Sequence, residues 1–255
     1  MRNSVLFQVL LSSLLSSAVL SAQTFPKDLH LQFSYGLTSA PSLTVAPSGA
    51  PRNVGFEGLA DLSASFVLTK EQALSNSQWA IHYGVSGGLS GHRIGFTQAA
   101  AFNSAIPAPF DGARQEDIDY SSRYIGLIGG VSRYFPVGKK DVAQFVVDGS
   151  LLVGYLFGAE RTDTYSTIAF GTGTDRPYAT VAQQTKAQPF AAPVLQLRWQ
   201  RRLNDRIDWT LGLRAAISWA TTVESTLVLI GDNKNIEATS EKTFDQLGLL
   251  LGVAF

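Results

Sequence analysis

The chain has 255 residues and balances 20 Lys and Arg against 20 Asp and Glu, so it offers no basic excess to a nucleic-acid backbone. It contains no cysteine, which excludes a disulfide framework, a thiolate metal site and the lipid-modified cysteine of a lipoprotein. The length suits one domain.

At the N-terminus, Arg2 precedes an apolar stretch from Val5 to Leu20 broken only by serines and Gln8, and Leu20-Ser21-Ala22 stand before Gln23. This predicts a secretory signal peptide over 1–22, cut after Ser21 or Ala22, and a single β domain over 23–255. Beyond it no apolar run approaches the roughly 18 residues that a membrane helix needs. Any crossing by the mature part must therefore be a closed barrel, which leaves no backbone group unpaired in lipid.

Eight long alternating segments follow, at 29–37, 54–68, 78–96, 119–135, 143–160, 187–202, 206–220 and 242–255. The connections alternate in length: 38–53, 97–118, 161–186 and 221–241 are long, whereas 69–77, 136–142 and 203–205 are short. Long loops at one end and short turns at the other are the pattern of an outer-membrane barrel, and an even strand count puts both termini in the periplasm. The expected fold is all-β: an eight-stranded antiparallel up-and-down transmembrane β-barrel.

Period-two parity divides each segment into an outward apolar row and an inward polar row. The second sets Phe56, Ala60, Leu62, Ala64, Phe66 and Leu68 outward, with Glu57, Asp61, Ser63 and Ser65 inward. The third sets Trp79, Ile81, Tyr83, Val85 and Leu89 against His82, Ser86, Ser90 and His92. In the fourth, Tyr124, Ile128 and Tyr134 compete with Ile125, Leu127, Val131 and Phe135, and the latter set is taken as outward. The fifth turns Phe145, Val147, Leu151, Val153, Tyr155 and Phe157 out and Asp148 and Ser150 in. The sixth turns Leu195, Leu197 and Trp199 out and Gln196, Arg198 and Gln200 in, with Pro193 predicted at a bulge or strand end. The seventh is the clearest, with Ile207, Trp209, Leu211, Leu213, Ala215, Ile217 and Trp219 opposite Asp208, Thr210, Gly212, Arg214, Ala216 and Ser218. Its two tryptophans lie roughly 25 Å apart along a tilted strand, the spacing of two aromatic girdles on a bilayer. Trp79, Trp209, Trp219 and the terminal Phe255 are thus predicted lipid-interface anchors.

The eighth segment closes the chain on Leu247, Leu249, Leu251, Val253 and Phe255, all on one face. A last strand of this kind resembles the signal read by the barrel-insertion machinery of Gram-negative bacteria, which the resemblance makes an expected partner alongside outer-membrane lipid. With the loop alternation and strand count, the chain resembles the small outer-membrane β-barrel superfamily, within the wider porin-like group, typified by the OmpA and OmpX transmembrane domains. It also looks like the outer-membrane barrel domains of Bacteroidota. The resemblance is architectural and spans 24–255; it implies an integral outer-membrane protein of the bacterial envelope.

Eight strands enclose a lumen just wide enough for its own side chains, which disfavours a diffusion pore. Glu57, Asp61, Asp148, Arg198 and Arg214 face that lumen by parity, and since charges withdrawn from water persist when paired, they are expected to form one structural polar network. His82 and Ser86 invite a hydrolase reading, because outer-membrane lipid A deacylases are eight-stranded barrels that pair a His with a Ser two residues later. Here Gly84 holds that position, and Ser86 lies about 13 Å along the strand, too far to bond. No catalytic residue is expected. His30, His82 and His92 lack ligand spacing, so neither metal nor cofactor is expected. The glycine-rich stretches at 84–91 and 126–130 lack the setting of a phosphate loop and are read as room for bulky neighbours in a narrow barrel. The expected role is non-enzymatic and structural or surface-interacting, with loop-borne adhesion or ligand binding as the alternative and lipid modification behind it; the external ligand is unassigned.

Overall fold

The structure is a computed structural model describing residues 28–45, 54–74, 78–98, 114–137, 143–168, 175–185, 187–204 and 207–255. The signal peptide predicted over 1–22 lies outside the described residues. In chain order the strands are β1 (Leu29–Thr38), β2 (Ser42–Val45), β3 (Val54–Leu59), β4 (Asp61–Ala73), β5 (Trp79–Gln98), β6 (Arg114–Val137), β7 (Ala143–Phe157), β8 (Ala159–Ile168), β9 (Asp175–Thr185), β10 (Gln188–Arg202), β11 (Asp208–Ile230) and β12 (Asn235–Ala254).

Eight of them close into an antiparallel ring, in the order β1, β4, β5, β6, β7, β10, β11, β12. Closure is made by the two ends of the chain. β12 runs beside β1 from Leu37 opposite Leu247 to His30 opposite Ala254, and the Phe255 amide donates to the Leu29 carbonyl at 2.9 Å. The connections β4–β5, β6–β7 and β10–β11 lie at this same end, the turn end; the longer excursions all leave from the other, the hairpin end.

Parity settles the faces as the sequence predicts in the ring itself. Phe33, Tyr35, Leu62, Tyr83, Leu127, Phe145, Leu151, Leu197, Leu213 and Leu249 are exposed on its outside, whereas Arg198, Asp148, Gln196 and Arg214 are buried within it. Trp219 is 83% exposed and Arg214 1%. The undecided fourth segment resolves as expected, with Ile125, Leu127, Val131 and Phe135 exposed and Tyr124 and Ile128 buried. Pro193 sits mid-strand in an unbroken ladder with β7, at the point where the ladder with β11 begins at Val194. The bulge or strand end predicted there is therefore absent, and Pro193 borders the end of one ladder only.

At the hairpin end the strands continue far beyond the expected boundaries. Stretches 38–53, 97–118, 161–186 and 221–241, predicted as loops, contain β2, the end of β5 and the start of β6, most of β8 and all of β9, the end of β11 and the start of β12. The alternation persists there but changes phase. Between β3 and β4 the partner sum on β5 shifts by one residue, from Leu59 opposite Arg93 to Ser63 opposite Ser90, a bulge. A second irregularity interrupts β11 between Ile217 and Val223. Each added residue exchanges inside for outside. Phe56, expected outward, consequently packs against a buried apolar cluster, and Glu57, expected in the lumen, is exposed.

Wall glycines permit close approaches of two kinds. A Cβ at Gly84 would lie 1.9 Å from the Leu68 carbonyl oxygen, against neighbouring backbone, whereas at Gly87 it would meet the Phe66 ring at 2.8 Å. The first contact has no flexible partner to give way. Gly84→Ala is expected to lower stability by about 1–3 kcal/mol, read as a lower unfolding midpoint in detergent, with Gly149→Ala, where a Cβ meets nothing within 4 Å, as the neutral control.

Candidate functional site

The lumen is layered along its axis, and the layers decide what the interior can do. Nearest the turn end lies a polar cluster. Arg198 on β10 donates to both carboxylate oxygens of Asp148 on the adjacent β7, through Nε and through Nη2 at 2.7 Å. The ladder places Gln196 opposite Asp148, so Arg198 reaches diagonally to a residue on the same face. Nη2 also lies 3.6 Å from Glu71, and Nη1 donates to His30 Nδ1 at 3.3 Å. An acceptor Nδ1 fixes His30 as the Nε2–H tautomer, which donates to Glu71 at 2.9 Å. Tyr134 donates its hydroxyl to the other Glu71 oxygen. His82 bonds Ser132 at 2.8 Å and Ser150 at 2.7 Å, and Gln200 donates to Asp208 at 3.0 Å.

Above this cluster the interior turns apolar. Tyr124, Phe190 and Phe244 stack with centroids 4.7–5.8 Å apart among Val67, Ile128, Leu152 and Leu156. Arg214 is embedded at this height, donating to Ser65 at 2.7 Å and Ser86 at 3.4 Å. Among the described residues it has no carboxylate partner, and its Nε bonds nothing.

A second polar layer lies beyond the apolar band of the outer surface. Lys242 bonds Asp245 at 2.6 Å and Ser39 Oγ at 2.8 Å. Arg93 joins Asp119 and lies 3.7 Å from Asp61. His92 meets Ser225 at 3.2 Å and Ser240 at 3.3 Å. Burial, and then the Lys242 charge, push the His92 pKa down to about 4. Burial likewise lowers Lys242, against the raising effect of Asp245. Toward the hairpin end lies a second apolar cluster, in which Ile94, Phe96, Ile118, Tyr178, Val181, Leu227, Leu229 and Ile236 are buried.

The five predicted network residues therefore divide. Asp148 and Arg198 meet; Arg214 sits in the apolar middle with hydroxyl partners; Asp61 belongs to the second polar layer with Arg93; and Glu57 is outside. Sequence reasoning missed Glu71 and Tyr134, because 69–77 reads as a short connection and Tyr134 enters only as a rival for the outward row of the fourth segment. Extending the second segment's odd-numbered row through Thr69 to Glu71 would have found the first. His82 does meet serines, but across strands and not along its own; Ser86 serves Arg214 instead. Of the predicted anchors, Trp79 is 42% exposed and Trp209 packs edge-on against the 36% exposed Trp199, with ring centroids 5.5 Å apart.

The geometry defines the class, an antiparallel β-barrel. The chain is similar to the outer membrane protein OprG from Pseudomonas aeruginosa at 8% identity, over 90% of this chain and 96% of that one, with a TM-score of 0.40. It is similar to Ail, the attachment invasion locus protein of Yersinia pestis, at 9% identity over 90% and 98% with a TM-score of 0.25. The beta domain of the Bordetella autotransporter Brka follows at 13% identity over 89% and 97%, with a TM-score of 0.28. No family model matches the chain, and no curated protein matches it.

Two outcomes test the layering. Arg198→Met leaves Asp148 and Glu71 without their cation and is expected to cost about 3–5 kcal/mol, whereas Arg214→Met strands no carboxylate and is expected to be neutral or stabilising, both read from denaturant unfolding. For His92 the folded pKa lies below the ordinary 6.5, so the unfolded chain binds more protons between pH 6.5 and about 4. Stability of the upper layer is present above this window and falls by up to about 3 kcal/mol across it. Hydrogen-exchange protection along β5, corrected for the intrinsic pH dependence of exchange, should fall over that range in the wild type and not in His92→Gln.

Proposed function

We propose that the chain is an integral β-barrel of a bacterial outer membrane with a structural or surface-interaction role, and that it is neither an enzyme nor a diffusion pore. One observation carries the reading: large apolar side chains, from Phe33 and Tyr35 on β1 to Leu247, Leu249 and Leu251 on β12, are exposed right round the ring while its buried side holds Asp148, Arg198 and Arg214. A water-soluble barrel would reverse this arrangement, and an exposed apolar surface of such extent has no stable counterpart in water. Trp79, Trp199 and Trp209 near the turn end and Trp219 toward the hairpin end fit two interfacial girdles, with Phe255 at the foot of the closing strand. In this reading both termini lie in the periplasm, and the Leu247 to Phe255 row engages the insertion machinery during biogenesis.

The layered interior supports a closed lumen. His82 with Ser132 and Ser150 supports a structural role over catalysis, since each of these groups is turned inward and satisfied by its neighbours. A second reading, loop-borne binding of an external ligand, is favoured by the hairpin end: a strand-built extension with its own apolar core is a rigid platform for the loops it carries. Replacing β8 and β9 by a short turn is expected to abolish such binding while leaving the barrel inserted.

The protein is expected to fractionate with the outer membrane, resist alkaline and high-salt extraction, and shift its gel mobility when heated in detergent. Recovery as a soluble monomer that needs no detergent would overturn the proposal.

A further inference from the structure

Among the described residues the wall of the barrel is interrupted between β6 and β8. The ladder between β6 and β7 stops at Arg123 opposite Phe157, and beyond it β8 pairs with β9. Among the described residues no pairing joins β8 to the upper half of β6. Nearby, the bulge that separates β3 from β4 brings the Asp61 carboxylate against Gly91. A cleft of about 470 Å³ opens here, within the range of roughly 300–1,000 Å³ typical of small-molecule sites.

Its lining comes from both faces of the sheet. Tyr35, Leu62 and Leu89 belong to the exposed outer band, whereas Ser63, Gln183 and Thr185 are buried inward residues. An unbroken wall would keep the two sets apart. The Gln183 and Thr185 side chains make no hydrogen bond to the protein among the described residues, so their donors and acceptors are free for a ligand.

We propose that this seam binds a single-chain amphiphile, its acyl tail lying on the outer apolar residues and its head hydrogen-bonded between β6 and β8. The tail assignment rests on the membrane reading above, since the apolar lip of the cleft is continuous with the outer band. The head is uncharged and hydroxylated. The cation that lines the cleft is already committed, since Arg161 bonds Asp163 at 2.8 Å, and Arg93 nearby is shared by Asp119 and Asp61. With Asp61 and Asp119 also lining the cleft, an anionic head would meet two carboxylates there. A monoacylglycerol has the required chemistry; a fatty acid has the wrong charge.

The test uses the whole mature protein in phospholipid nanodiscs and a monoacylglycerol carrying a photoreactive diazirine at its tail. Saturable labelling is expected on the peptides holding Leu62 and Leu89, displaced by unlabelled monoacylglycerol and not by the fatty acid of equal length. Ser121→Trp, which fills the cleft from its outer rim, should reduce that labelling at least tenfold. Gln183→Leu with Thr185→Val should weaken it several-fold while keeping the heat-dependent gel shift. Labelling that never saturates and spreads evenly to Tyr155, Leu197 and Leu213 would overturn the site alone. Equal displacement by the fatty acid would overturn the uncharged head. No labelling of any outer-band peptide, in a protein that does not insert, would instead overturn the membrane reading on which the tail assignment rests.

Discussion

Everything in this molecule depends on the pairing of its last strand with its first. A sheet with free edges would present rows of unsatisfied amides and carbonyls, and lipid has nothing to offer them. The eight residue pairs between β1 and β12 remove both edges at once. Once the ring is shut, period-two alternation becomes a division between two solvents, so Leu249 and Leu251 lie on one side of the wall and Gln246 and Leu250 on the other.

The interior then solves its own packing problem in strata. A lumen this narrow cannot hydrate its charges freely, so Arg198 gathers Asp148, Glu71 and His30 into one mutually satisfied group. Arg214 shows the other solution, a guanidinium among aromatic rings held by hydroxyl groups. The second polar layer, around Lys242 and His92, is separated from the first by the Tyr124, Phe190 and Phe244 stack. Among the described residues the polar strata are thus divided by an apolar one, crossed only by Arg214 and its hydroxyl partners and by Gln246. The same layering makes the interior a source of rigidity.

The ring was legible because its strands obey a single rule without interruption. Trp209 through Trp219 and Leu247 through Val253 could be assigned from parity alone, and the end at which each connection lies followed from its length. What failed did so where parity changes phase. A reader who treats 54–68 as one strand places Glu57 inside, because nothing in the sequence marks the bulge near Ala60. The same blindness turned 221–241 into a loop, although Val223, Ser225, Leu227 and Leu229 alternate as strictly as any ring strand and Ile236, Ala238, Ser240 and Lys242 answer them. The partners of each lumenal charge were out of reach for a different reason. They depend on strand register and on diagonal reach across the lumen, which hydrophobic alternation does not encode.

The bulges also give the chain an arithmetic of its own. Below them the greasy side of each strand faces outward; above them it faces inward, so the protruding part has the polarity of ordinary water-soluble protein while the ring beneath has an apolar outside. Loss of the one extra residue near Ala60 would leave every hydrogen bond of the hairpin formable, yet present Phe56 to water and Glu57 to the core. The count of residues between ring and hairpin is therefore under tighter constraint than their identity. Homologues should be able to exchange the tips of these hairpins freely while conserving, to the residue, the odd number inserted beneath them.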